Sequence, residues 1–253
     1  MKPIIVKIFN TKIELDQSLA LHILEVISRS LKESARCCIA LSGGETPKNV
    51  YHQMATVESA RSIDWSRVHV FFCDERAVPP HDPASNYGMI DREWLSHISI
   101  PQGNVHRIQG ELEPTIAAEV YDREMRKYFG FDPVVFDLIL LGVGEDGHTA
   151  SVFPESDALL EKKALVRSTF SEQMKTWRVT MTVPVMNSAR EILFLATGKQ
   201  KAAMIKNVLD AKLPDPNIPA SFIRPSGGTL SWMIDQDAGA LVKEDSSIII
   251  ERW

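Results

Sequence analysis

The stretch FDLILLGVGEDGHTASVFP, residues 136–154, places Asp146 two positions before His148 in a glycine-rich turn after an apolar run. Residues two apart in an extended turn point the same way. A carboxylate so placed can orient an imidazole and stabilise its charged form, which is the base half of a hydrolytic constellation without its serine. Histidine is the side chain whose ordinary pKa allows proton transfer near neutrality. The plainer alternative is a histidine satisfied by backbone beside a helix start, and the post-strand glycine setting tips the reading toward chemistry. The same turn satisfies G-x-G-x-x-G over Gly142 to Gly147, but its variable pair is Glu145-Asp146. Two carboxylates would occupy the place of a pyrophosphate. Glu161, near the spacing of a ribose-binding acid, lies in SDALLEKKALV and not at a strand end. A nucleotide site is therefore disfavoured.

Other turns carry complementary groups. SGGETPK, residues 42–48, lacks Walker A spacing. Gly43 and Gly44 permit close backbone approach, Ser42 and Thr46 add hydroxyl donors, and Pro47 suits a first helical turn whose N-terminus faces an anion. An ordinary strand-to-helix turn with Thr46 as N-cap accounts for this stretch equally well. Arg76, in Asp74-Glu75-Arg76, is either a bidentate phosphate ligand or the internal partner of Asp74 or Glu75. Ser85 suits the cap of the next helix, NYGMIDREWL. Lys199 and Lys201 follow Thr197-Gly198, where a cation opposes a helix dipole unless an anion is near. The seven histidines form neither H-x-x-x-H nor H-E-x-x-H, and G-x-S-x-G is absent, so no metal set and no serine hydrolase is expected.

The elements that position these turns read as alternating strands and helices. Apolar runs predict strands at 4–9, 37–41, 68–73, 136–141, 179–183, 192–197 and 247–250. Helical spacing appears over 19–31, 114–129 and 199–209; in the second, Ile116, Val120, Tyr121, Met125 and Tyr128 are expected to line one face, with Gly130 as the stop. Alternation of this kind implies an α/β fold with a mostly parallel sheet and helices on both faces. Ligands bind at the carboxyl ends of such strands, where the turns above would converge.

With 253 residues, 44% hydrophobic and 24% charged, the chain reads as a single α/β domain over 1–253. A net charge of −5 without a block of like charges argues against nucleic acid or anionic membrane as partner. Three cysteines without C-x-x-C fit a reducing compartment. Neither a leader-like segment nor an apolar run near the roughly 18 residues of a membrane span is seen, so a cytoplasmic protein is expected.

The segments LSGGETPKNVY, FFCDERAVPPHDPASNYGM, DLILLGVGEDGHTASVFP and PASFIRPSGGTLSWMID together resemble the 6-phosphogluconolactonase family, grouped with the glucosamine-6-phosphate isomerases and deaminases. The resemblance covers most of the chain, from about Leu41 to Asp235. It implies a modified Rossmann-like sandwich, no cofactor, a small phosphosugar lactone as partner, and a monomer. It implies hydrolysis of 6-phospho-D-glucono-1,5-lactone, with His148 as base oriented by Asp146. Ser42, Gly43, Gly44, Thr46, Arg76 and Lys201 become the phosphate candidates, with Arg178, taken to precede a strand, a weaker one. Asp74 lies in the motif without an assignable step, and backbone N–H groups near Gly144 and Gly147 are expected to steady the oxyanion. Deaminases read DGHIAFNEP where this chain reads DGHTASVFP, so their ring-opening glutamate falls on Phe153, which cannot transfer a proton. They also usually carry Tyr where this chain has Arg76. A deaminase or isomerase, and a sugar-phosphate sensor without turnover, remain the alternatives.

Overall fold

The computed structural model describes residues 3–130 and 133–253. In chain order the strands and α-helices are β1 (Ile4–Phe9), α1 (Lys12–Glu33), β2 (Cys37–Leu41), α2 (Glu45–Thr56), β3 (Val68–Phe72), β4 (Asp74–Arg76), α3 (Asn86–Glu93), β5 (Val105–His106), α4 (Pro114–Phe129), β6 (Leu138–Gly142), α5 (Asp157–Leu160), β7 (Val166–Ser171), β8 (Thr176–Met181), α6 (Val183–Asn187), β9 (Glu191–Ala196), α7 (Ala202–Asp210), β10 (Thr229–Asp235) and β11 (Ile248–Arg252). Eight strands form one sheet in the order β11-β1-β10-β9-β6-β2-β3-β5. Every pairing in it is parallel. Central strands are apolar throughout, as burial on both faces demands: all five residues of β2 are buried.

The order places the site. From β2 the chain runs outward through β3 to β5; it returns to β6 on the other side of β2 and runs away through β9 to β10. The direction of winding reverses between β2 and β6. Connections leaving their carboxyl ends part there and open a crevice. A second, antiparallel sheet, β4-β8-β7, continues from β3 through Cys73, whose carbonyl accepts Met181 N at 2.8 Å.

Two expectations are corrected. The strand expected at 179–183 is β8, in the smaller sheet, and it ends early because Pro184 lies in the first turn of α6. On α4 the buried face is Ala117, Ala118, Tyr121, Met125 and Phe129, while Ile116 is 51% exposed. Tyr121 sets that rotation: its hydroxyl bonds both N (2.9 Å) and O (3.2 Å) of Phe72, drawing the small alanines inward. The helix otherwise begins at Pro114 and stops at Gly130, φ +70°, as expected. Apolar runs do not signal the strands β4, β5, β7 and β10; β10 reads TLSWMID, and its first half is only partly buried.

Candidate active site

A cavity of about 220 Å³ sits in the β2/β6 crevice. It gathers Ser42, Gly43, Gly44 and Thr46 after β2, Asp74 and Arg76 from β4, Gly144 and His148 after β6, and Lys201 after β9. A larger hollow of about 360 Å³ between α4 and β7 holds none of the motif residues.

His148 and Asp146 are joined as expected. Asp146 Oδ1 lies 2.5 Å from His148 Nδ1 and also accepts the His148 backbone N–H at 3.1 Å. That bond puts the proton on Nδ1 and leaves Nε2 as the nitrogen for chemistry. Partial burial pushes the Asp146 carboxyl up, but the ring and backbone N–H of His148 outweigh it and hold the carboxyl below its ordinary range. Gly144 is required beneath the pair: a Cβ there would stand 2.1 Å from His148 Nδ1 and 2.4 Å from Asp146 Oδ1. Phe153 packs against the imidazole, centroids 5.0 Å apart. It forms an apolar wall.

The loop is held from behind. Gly147, φ +81°, donates to Gly144 O and accepts Ala220 N at 2.9 Å; a Cβ on it would press on Ile218. The segment PASFIRP thus supports the histidine loop, and Arg224 within it binds the carbonyls of Ala211, Lys212 and Ser221. Gly144 N donates to His148 O at 2.8 Å and Gly147 N to Gly144 O at 3.2 Å, so both groups are committed to the turn.

On the anion side, α2 is capped by Gly44, φ +100°, with no side-chain cap, so Thr46 lies within the helix and lines the cavity instead of capping it. A helix start left open in this way presents N–H groups to an anion. Gly43 permits close packing, since a Cβ would lie 1.9 Å from Asn86 Oδ1. The Arg76 guanidinium pairs with neither Asp74 nor Glu75, although its backbone N–H donates to Glu75 Oε1 at 2.8 Å: Nη1 donates to Ala84 O at 2.5 Å, and Nε is buried without a partner among the described residues. Glu75 is occupied elsewhere, accepting from Ser85 Oγ, Asn86 N and Tyr87 N and so fixing the start of α3. Ser85 caps α3 as expected, accepting Gly88 N. Ser42 Oγ is buried with no oxygen or nitrogen partner among the described residues. Lys201 makes no ion pair among the described residues, and Lys199 lies outside the cavity.

Arg178 lies inside β8, not before a strand, directly opposite Arg76. It is 5% exposed, its Nε has no partner among the described residues, and it stands outside the cavity lining. Burial, then the neighbouring Arg76 charge, lowers its pKa. The nearby carboxylates of Asp74 and Glu75 offset part of this, and Arg178 Nη2 donates to Met174 Sδ at 3.1 Å.

Asp74 is 6% exposed; Ser151 Oγ donates to its Oδ2 at 2.6 Å and Asn86 Nδ2 to its Oδ1 at 3.2 Å. Through Ser151 it ties β4 to the histidine loop, where Ala150 adopts φ +48° and lines the cavity. Asn86, Ala150 and Thr197 were not singled out from sequence. Nothing local marks an Ala or a Thr, though Asn86 falls within the FFCDERAVPPHDPASNYGM segment.

An all-parallel α/β sheet with an anion-receptive crevice at its switch point and a carboxylate-oriented histidine beside it defines the doubly wound α/β class. The family model described as glucosamine-6-phosphate isomerases/6-phosphogluconolactonase matches residues 10–232. The chain is 36% identical over 244 residues to 6-phosphogluconolactonase of Homo sapiens, 95% of this chain and 94% of that one. It is 36% identical over 222 residues to 6-phosphogluconolactonase of a Nostoc species, covering 86% and 90%. The solved 6-phosphogluconolactonase from Trypanosoma brucei superposes with a TM-score of 0.85 at 30% identity, over 96% of this chain and 99% of that one. A monomeric glucosamine-6-phosphate deaminase reaches a TM-score of 0.79 at 21% identity over 96% and 100%, a likeness of fold alone. The chain belongs to the glucosamine-6-phosphate isomerase/6-phosphogluconolactonase family.

Proposed function

We propose that this chain hydrolyses 6-phospho-D-glucono-1,5-lactone to 6-phosphogluconate, the lactone-opening step of the oxidative pentose phosphate pathway. The observation that carries the reading is the Asp146–His148 bond of 2.5 Å in a crevice whose other wall holds the Arg76 and Lys201 side chains, free of carboxylate partners among the described residues. The open start of α2, Ser42, Gly43, Gly44 and Thr46 receive the phosphate with Arg76 and Lys201. Arg178 reinforces Arg76 from behind. Anchoring the phosphate holds C1 of the lactone against His148. His148 Nε2 takes a proton from water as the water attacks C1, then returns it to the ring oxygen as the C1–O bond breaks. Asp146 keeps the imidazole in the right tautomer and stabilises its charged form. Phe153 against the imidazole favours the lactonase over the deaminase, because no carboxyl group stands there to open a sugar ring. We read the chain as one domain, a cytoplasmic monomer that needs no cofactor and meets no nucleic acid or membrane; its buried unpaired cysteines suit a reducing compartment.

The test uses lactone generated freshly in the cuvette. Wild type should open it well above the spontaneous rate, and His148→Ala should lose about 10²–10⁴-fold in kcat. Absence of acceleration together with binding of 6-phosphogluconate would replace this reading with that of a sensor. Ammonia released from glucosamine 6-phosphate would point to the deaminase.

A further inference from the structure

We infer that Asp235, outside the cavity, is a positioning residue for the phosphate end of the site; this rests on the functional reading above. Asp235 ends β10, and the register Ile234↔Ala196 brings it level with Thr197, where β9 gives way to the turn that carries Lys201. Its two carboxylate oxygens both accept the Gly198 N–H, each at 3.0 Å, and Oδ1 also accepts Ala238 N at 2.8 Å. Gly198 is held at φ +90° and opens the short 3₁₀ turn Lys199–Lys201, which has no side-chain cap. Gly198 O in turn accepts Lys201 N at 3.0 Å.

Two bonds in series therefore run from Asp235 to the N–H of Gly198, and from the carbonyl of Gly198 to the backbone N–H of Lys201. The carboxylate supplies the acceptor that this turn lacks in its own sequence. A negative charge this close to a phosphate subsite would by itself weaken anion binding. Here it is met by backbone N–H groups, so its effect is to fix the turn and with it the place of the lysine ammonium. Thr197 and Lys201 line the cavity and Asp235 does not, so it acts only through them.

Removing the acceptor should loosen the phosphate end and leave the His148 end intact. Asp235→Ala should raise KM for the lactone about tenfold, with kcat within about twofold of wild type. The Kd for 6-phosphogluconate, measured by calorimetry, should rise in parallel. Asp235→Asn keeps one acceptor oxygen and sheds the charge, and should restore both values most of the way. Should Asp235→Ala fail to fold, Asp235→Ser, whose hydroxyl is too short to reach, takes its place. An unchanged KM and Kd in the acceptor-less variant, or a fall in kcat at constant KM, overturns the inference; so does Asp235→Asn behaving like Asp235→Ala. If wild type turns over no lactone, the functional reading falls, while 6-phosphogluconate binding to the same proteins still decides the role of Asp235.

Discussion

Asp146 gives one oxygen to two groups of a single residue, the ring nitrogen and the backbone N–H of His148. The ring cannot turn without breaking a bond its own peptide helps to hold. An amide in place of the carboxylate would offer its N–H₂ to Nδ1 or lose the charge that steadies the imidazolium. Asp146→Asn should therefore lower kcat by about 10²-fold or more with KM little changed, read from initial rates across lactone concentrations. A raised KM at full kcat would make Asp146 a binding group and not an orienting one. At this scale the sequence was legible where residue type restricts role: glycines in turns, a lone Asp-x-His, an arginine after a strand. It was not legible for Asn86 and Ser151, which gain their meaning from Asp74, 12 and 77 positions away. Nor could it tell that the Gly144 and Gly147 N–H groups would be consumed by the turn they shape.

The turn after β6 works as an element because its glycine leaves room for side chains to fold back over it. Gly144→Ala would drive a methyl group into both partners of the Asp146–His148 bond. The expected outcome is a loss of kcat of about 10²-fold, comparable to that of Asp146→Asn, with only a modest fall in melting temperature. Melting curves beside the kinetics would expose the alternative: a variant that unfolds early without a specific kcat defect would show that Gly144 serves stability alone. Elements were readable from sequence where burial is continuous, as in β1 and β2, whose ends fall where expected. They were not where polar residues interrupt a half-buried strand, as in β7 and β10, or where one hydroxyl sets the rotation of a helix, as Tyr121 does for α4. The turns nevertheless converge as expected, because parallel pairing puts every carboxyl end on one edge of the sheet.

Away from the crevice, a histidine cluster on β3, β5 and α4 links stability to pH. His69 Nδ1 lies 3.1 Å from His106 Nε2, and His106 Nδ1 lies 2.8 Å from Glu124. The neutral arrangement passes one N–H into each gap: His69 to His106, His106 to Glu124. A second proton on His69 gains no partner among the described residues. Burial first, then His106 and Arg36, lowers the His69 pKa to about 4. Unfolded, His69 titrates near the ordinary value of about 6.5, so between these values the unfolded chain binds the extra proton and the folded one does not. The associated stability is present above about pH 6.5 and is lost as the pH falls toward about 4. The depressed carboxyls of Asp146 and Glu191 act in the same direction at lower pH, and the raised carboxyl of Glu75 acts against them. Asparagine at position 69 can keep a donor toward His106 but cannot take up the proton. His69→Asn should therefore melt lower than wild type at neutral pH, through lost packing on Tyr128, yet lose less melting temperature on acidification through this window. Parallel melting curves for the two proteins between pH 7 and 4 would show that His69 carries none of the acid sensitivity. The site lies elsewhere in the sheet, at the carboxyl ends of β2 and β6, so kcat of His69→Asn at neutral pH should match wild type, separating a stability defect from a catalytic one.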